Sequence, residues 1–162
     1  MDRNDIKLAN LEDSALLCRL IRDSFRDVAE RFSLTLQNCP KHPSNYTEEW
    51  VQKDFARGVT YLILSQNNVP VGCVALEKAN DDLCFLERLA VLPEKRRKGF
   101  GRTLVDHVFS KARVMGAKEI SIGIIAAQTE LNRWYQKIGF VEGETKEFPH
   151  LPFQVTLMTI KL

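Results

Sequence analysis

The stretch VLPEKRRKGFGRTLVDHV, Val91 to Val108, sets four consecutive basic residues (Lys95, Arg96, Arg97, Lys98) against two glycines, Gly99 and Gly101. An amphipathic segment follows at once: Leu104, Val105, Val108, Phe109 and Ala112 keep helical spacing, and Gly116 supplies a stop. The first amides of a helix have no internal partner and carry a fractional positive charge. Glycines at 99 and 101 leave no side chain between those amides and a ligand. Arg96, Arg97, Lys98 and Arg102 surround the spot with cationic donors. The stretch therefore reads as the seat of an anion, and a phosphate or pyrophosphate fits it well.

Two familiar nucleotide sites are disfavoured. GFGRT lacks both the spacing and the lysine of a P-loop, and the dinucleotide fingerprint would need a glycine where Leu104 stands. The alternatives are a solvated basic turn or a nucleic-acid patch. Against nucleic acid, no aromatic ladder or second basic stripe extends the charge.

Composition bounds the rest. A chain of 162 residues fits one domain, spanning 1–162, and a formal net charge of +2 makes the positive charge a local feature. The four cysteines (Cys18, Cys39, Cys73, Cys84) are scattered without a CxxC pair, as expected of free thiols in a reducing compartment. MDRNDIKLANLEDS has no apolar core for a secretory signal, and no run approaches the ~20 apolar residues of a membrane span. A cytoplasmic protein with no membrane contact is expected.

Working outward from the loop, LCFLERLAV (Leu83–Val91) reads as the strand that feeds it, and EISIGIIAA (Glu119–Ala127) as a buried strand beyond the helix. Upstream, VTYLILS and VPVGCVALEK flank Asn67-Asn68 as a hairpin. Before them come a short strand (Ile6–Leu11) and a helix capped by Asn10 or Asp13. A loop (Ser33–Tyr46) follows, then a second helix started by Thr47 and stopped by Gly58. Downstream lie a helix around Leu131–Lys137 and strands near Phe140–Thr145 and Phe153–Leu162. The class is α+β, with one strand-helix-strand crossover between Val91 and Glu119.

The pattern Arg96-x-x-Gly99-x-Gly101, with LAVLP before it and LNRWYQKIGFVEGE (Leu131–Glu144) behind it, resembles the GNAT family of N-acetyltransferases. The resemblance is specific from about Leu83 to Glu142 and looser over the whole chain. It implies an α/β sandwich: a mixed, mostly antiparallel central sheet with a splayed parallel strand pair, flanked by helices. It implies acetyl-CoA as cosubstrate, with no metal. Leu89, Ala90 and Val91 would pair with the pantetheine arm, and amides from Arg96 through Arg97, Lys98, Gly99, Phe100, Gly101 and Arg102 to Thr103 would hold the pyrophosphate. A primary amine would attack the thioester directly in a ternary complex.

The roles of single residues follow from that chemistry. Tyr135, a phenol with an ordinary pKa of about 10, can protonate a departing thiolate, as the matching family position does. Glu87 is either the base that takes the amine proton or a solvent-facing strand residue paired with Arg88. Alternation puts Glu87, Leu89 and Val91 on one face unless a bulge, expected by the resemblance, intervenes. Where relatives carry asparagine seven residues before the tyrosine, this chain has Gln128; the pantetheine contact is assigned to Asn132. Leu131 replaces a small residue common in relatives.

Acceptor choice in this fold comes from the first two helices, their loop and the last hairpin. NCPKHPSN (Asn38–Asn45) and EFPHLPF (Glu147–Phe153) fall there. Cys39 and His42 have CxxH spacing with His150 as a third candidate, yet a fourth zinc ligand is not evident. The favoured reading makes both loops a pocket wall in which His42, Asn45 and His150 offer hydrogen bonds. His107 falls opposite its helix's apolar stripe and is expected at the surface. A small-molecule amine is favoured over a protein amine, since no long peptide groove or acidic stripe is visible. A CoA-binding sensor and a basic-loop nucleic-acid binder are the competing classes. Homodimers are common among the relatives, but no feature of the sequence decides that.

Overall fold

Alternation in two central strands shows why the chain builds three layers. Tyr61 and Ile63 point to one side of their strand and Leu62 and Leu64 to the other, and all four are buried. Cys73 and Ala75 alternate in the same way with Val74 and Leu76 in the next strand. A sheet buried on both faces needs helices on both.

The computed structural model describes residues 1–162. The strands are β1 (Asn4–Leu8), β2 (Thr60–Gln66), β3 (Val69–Lys78), β4 (Leu83–Val91), β5 (Glu119–Ile125), β6 (Val141–Lys146) and β7 (Val155–Lys161). The helices are α1 (Ser14–Arg31), α2 (Glu48–Ala56), α3 (Phe100–Val114) and α4 (Thr129–Ile138). One sheet runs β1-β2-β3-β4-β5-β7-β6. Every neighbouring pair is antiparallel except β4 and β5. Leu17, Leu20 and Ile21 of α1 and Val51 of α2 cover one face; Leu104, Val105, Val108 and Ala112 of α3 cover the other. No helix is long and apolar enough to cross a membrane.

Local signals set most boundaries. The Thr47 hydroxyl accepts the Trp50 N–H at 3.1 Å and starts α2. Asn67 and Asn68 both adopt positive φ, 50° and 67°, which closes the β2–β3 hairpin with the twist its strands require. The first strand ends at Leu8, short of the expected Leu11, because Leu11–Asp13 form a 3-10 turn. That turn is closed reciprocally: the Asn10 side chain accepts the Glu12 N–H at 3.0 Å, and Asp13 accepts the Asn10 N–H at 2.9 Å.

One irregularity positions the site. β4 pairs with β5 only at Leu83–Phe85, opposite Glu119–Ser121. Beyond that point β4 follows β3 to Val91 while β5 follows β7 to Ile125, so the two part. On the β3 side, Cys73 faces Ala90 and Ala75 faces Glu87, leaving Val74 opposite both Arg88 and Leu89. That is a β-bulge, and Arg88 sits in it at φ 49°. The bulge reverses the facing of the last residues of β4: Leu89 and Val91 pack with the α3 core, on the opposite side from Glu87.

Gly72 lets β3 run close beneath this bend. A Cβ there would lie 2.5 Å from the Ala90 carbonyl oxygen, a backbone atom held in the sheet. Gly72→Val is expected to lower the free energy of unfolding by about 1–3 kcal/mol, the usual cost of overpacking. Urea titration of variant and parent checks it.

Candidate active site

Where β4 and β5 part, the edge of β4 from Leu86 to Val91 has no strand partner on that side. Backbone N–H and C=O groups in such a position call for another hydrogen-bonding chain. The gap lies between two cavities, of about 640 Å³ and 540 Å³, which share Phe25, Val28, Leu89, Gln128 and Leu131 as a common wall.

The smaller cavity is built on the start of α3. Gly99 adopts φ 83°, a left-handed conformation that costs glycine nothing, and a Cβ there would meet no atom within 4 Å. Gly101 is packed more closely: its Cβ would stand 3.4 Å from the Trp134 ring. The Thr103 N–H is taken by the Gly99 carbonyl at 3.1 Å, and the Arg96 N–H by Pro93 at 3.3 Å. Both ends of the expected amide run are thus bonded within the protein. The helix-start amides of Phe100, Gly101 and Arg102 lie between them, without helical acceptors.

The cations divide into two groups. Arg96 faces inward: it donates to the carbonyls of Val91 (3.1 Å) and Ser24 (2.6 Å) and pairs with Asp27 at 2.6 Å. Its guanidinium fastens the loop to α1. Arg102 pairs with Asp106 one turn on, at 3.0 Å, and the Thr103 hydroxyl caps back onto Gly99. Arg97 and Lys98 have no carboxylate partner, and Arg97 lines the cavity together with Lys95. Arg31 and Glu130 close the rim as an ion pair between α1 and α4.

The larger cavity holds the chemical groups. Tyr135 is 4% exposed, lines the wall, and its hydroxyl has no protein partner. Burial pushes its pKa above the ordinary phenol value, so it stays a donor at neutral pH. Glu87 lines the same cavity and so does Glu77, one diagonal step away across β3 and β4. Burial raises the pKa of Glu87, Arg88 pulls it back, and the hydrogen bond and charge of Glu77 push it up again. Glu77 is held below the usual range, chiefly by its hydrogen bond from Arg57.

Arg88 anchors the bulge from inside. Its guanidinium donates to the Tyr61 hydroxyl (3.0 Å) and to Glu87 (3.1 Å), and lies 3.4 Å from Asp54. It stacks against the rings of Tyr46 and Tyr61. Asp54, only 3% exposed, also accepts from the hydroxyls of Tyr46 and Tyr61 and from Arg57.

Of the three residues expected at the acceptor, His42 alone lines the cavity. Burial takes its pKa down to about 4, so the ring is neutral at pH 7. Nδ1 accepts the Ser44 N–H at 3.2 Å, which leaves the ring proton on Nε2, where no protein group meets it. The Asn45 amide braces the loop through the Cys39 and Pro40 carbonyls, and His150 is exposed beside Phe148. Cys39, His42 and His150 are not gathered into a ligand cluster. His107 is exposed on α3, as its position opposite the apolar stripe implies, with Nδ1 3.0 Å from the Thr103 carbonyl.

The two amides weighed for the pantetheine arm lie differently. Asn132 donates to Glu142 at 3.0 Å and accepts from Gln136 at 2.6 Å, lining neither cavity, whereas Gln128 lines both. Ala90 is buried against the α1–α2 side, and Leu89 and Val91 are the residues of β4 that border the smaller cavity. Glu77 and Trp134 were not singled out by the sequence, and Lys95 was noted only as part of the basic run. Alternation along β3 and the tryptophan beside Tyr135 carried the only signals for two of them.

A mixed sheet opened at its one parallel pair, with a glycine-started helix at the opening, is an acyltransferase architecture. The model of the Acetyltransferase (GNAT) family matches residues 20–140, and the chain belongs to that family. An amino-acid acetyltransferase of Neisseria meningitidis serogroup A is 30% identical over 90 residues, 55% of this chain and 20% of that one. The chain thus matches only about a fifth of that relative's length. Among solved structures, yncA of Salmonella typhimurium, with its cofactor acetyl-CoA, aligns at TM-score 0.73 and 18% identity, covering 99% of this chain and 94% of that one. The ribosomal-protein-alanine N-acetyltransferase of Brucella melitensis aligns at TM-score 0.72 and 18% identity, over 98% and 99% of the two chains. At these identities the likeness is one of fold.

Gly99→Asp would set a carboxylate among the free amides at the start of α3. Calorimetry is expected to show acetyl-CoA affinity reduced by at least about tenfold, or about 1.4 kcal/mol. The melting temperature should fall by only a few degrees: the space around Gly99 is open, but an aspartate at φ 83° is strained.

Proposed function

We propose that the protein transfers the acetyl group of acetyl-CoA to the primary amine of a small molecule, by direct attack in a ternary complex. The observation that carries this reading is the unpartnered edge of β4. It runs from free amides and cations at one end to Tyr135 and Glu87 at the other.

The residues fit the cosubstrate along its length. A pyrophosphate suits the amides of Phe100, Gly101 and Arg102, with Lys95, Arg97 and Lys98 as counter-charges. Leu89 and Val91 offer backbone to an extended amide-bearing arm, and Gln128 offers a side-chain amide. Acetyl-CoA supplies an activated acyl group on a thiolate leaving group. Glu87 takes a proton from the acceptor nitrogen, freeing its lone pair, and its raised pKa makes it a stronger base than an ordinary glutamate. Tyr135 keeps its proton until the C–S bond breaks and then gives it to sulfur. Burial strengthens that hydroxyl's hold on its proton, and the same dry site raises the proton affinity of a thiolate.

One feature favours a small acceptor over a protein amine. Leu34 and Cys39, after α1, pack with Ile125, and Leu151 and Phe153 from the β6–β7 connection join them. The two loops therefore meet above the larger cavity, where an extended peptide would have to lie. The four cysteines, all free thiols, support a reducing, cytoplasmic setting.

Titration with acetyl-CoA, with CoA and ADP as controls, followed by thiol release on adding amines, tests the reading. Tyr135→Phe is expected to lower kcat on the order of 10²-fold while acetyl-CoA affinity stays within about twofold. Equal turnover of variant and parent would remove the acid role from Tyr135.

A further inference from the structure

The carboxyls of Glu77 and Glu87 stand together on one cavity wall, each held from behind by its own arginine. Ala75 faces Glu87 across the β3–β4 ladder and Glu77 faces Phe85, so the two glutamates are diagonal neighbours on the same side of the sheet. Arg57 Nε donates to Glu77 at 2.9 Å and Arg88 Nη1 to Glu87 at 3.1 Å. Asp54 bridges the arginines from below, 2.7 Å from Arg57 and 3.4 Å from Arg88. The network holds two guanidinium groups against three carboxyls, one negative charge in excess. Burial and the neighbouring Glu77 raise the pKa of Glu87, while Arg88 draws it back.

Two other polar groups of the cavity have no protein partner. The Tyr135 hydroxyl has no hydrogen-bond partner in a side chain 4% exposed, and Nε2 of His42, 6% exposed, meets no protein group. The remaining wall is largely apolar, with Phe85, Ile122, Ile124, Phe153 and Leu157 among its members. Arg88 is the one cation that lines it; its Nε and Nη1 donate to Tyr61 and Glu87, and Nη2, buried without a hydrogen-bond partner, lies 3.4 Å from the Asp54 carboxylate. His42 is neutral. A carboxylate on the acceptor would find no free counter-charge here and would approach two acidic side chains.

We propose that the acceptor is received as an ammonium ion by the Glu77–Glu87 pair and carries an apolar body without a carboxylate, Glu77 being the residue that sets this preference. The inference rests on the acetyltransferase reading above. The ammonium supplies the positive charge that the network lacks, and the proton that Glu87 takes from it leaves to water at the end of the cycle. Glu87 then removes one proton from nitrogen, the C–N bond forms, the C–S bond breaks, and Tyr135 protonates sulfur. The second nitrogen proton restores Tyr135 through water. In sum, an ammonium ion and a thioester give an amide, a thiol and one proton.

The test compares matched pairs that differ by a carboxylate: phenethylamine against phenylalanine, and isoamylamine against leucine, by thiol release on protein shown calorimetrically to bind acetyl-CoA. The amines are expected to exceed the amino acids in kcat/KM by at least about a hundredfold, given the cost of like charges in a desolvated site. In Glu77→Gln the ratio should fall below about tenfold, as one of the two acidic groups is lost. The acid limb of kcat/KM should also move to lower pH, because Glu87 loses the anion that helps to raise it; Arg57, Arg88 and Asp54, the other charges around the pair, are unchanged. A purely structural role for Glu77 would leave that limb in place. Amino acids used as well as the amines, no turnover of either amine by protein that binds acetyl-CoA, or an unmoved ratio and limb in Glu77→Gln would each overturn the inference. Failure to bind acetyl-CoA would instead sink the transferase reading itself.

Discussion

The active site depends on one unsatisfied length of backbone. Two parallel strands inside a sheet would ordinarily pair along their whole length, because buried N–H and C=O groups left alone are costly. Here the pairing of β4 with β5 stops after Phe85. The exposed edge is tolerable only where water or a ligand can reach it, so the gap is at once a weakness in the sheet and a place for an amide-bearing chain.

What holds the gap open is the bulge at Arg88. A positive φ at a non-glycine residue is strained and persists only where its surroundings over-determine it. The surroundings are the two tyrosine rings, Glu87 and Asp54 packed around the guanidinium. One side chain therefore fixes the bend of β4, orients the carboxylate beside it and connects both to a buried aspartate on α2. Burying so many charges is not an efficient way to gain stability. It does hold the Glu87 carboxyl and a strand bend in a single arrangement.

The sequence disclosed what is local. Element order, the Asn67-Asn68 turn, the Thr47 cap and the glycine-started helix were all readable, because each depends on residues within a few positions. The crossover and the sheet class followed from that order. Side-chain partners were less accessible: nothing near Arg96 indicates that its guanidinium turns to Asp27, far back in the chain. Asn132 could not be told from Gln128 without knowing which of the two lines the cavities. Glu77 looked like an ordinary strand-end residue until the register set it beside Glu87. Asn45 and His150 share loops with genuine lining residues yet turn elsewhere.

The wall shared by the two cavities bears on how such a protein can diversify. Phe25, Val28, Leu89, Gln128 and Leu131 border both, so a change at any of them reshapes the two cavities together. Pro43, Phe153 and Leu157 border the larger cavity alone. A change at those three reshapes the larger cavity and leaves the lining of the smaller one as it is. The two loops and the last strand are thus the part of the molecule free to drift among descendants, while the inner face of α1 is bound to stay as it is.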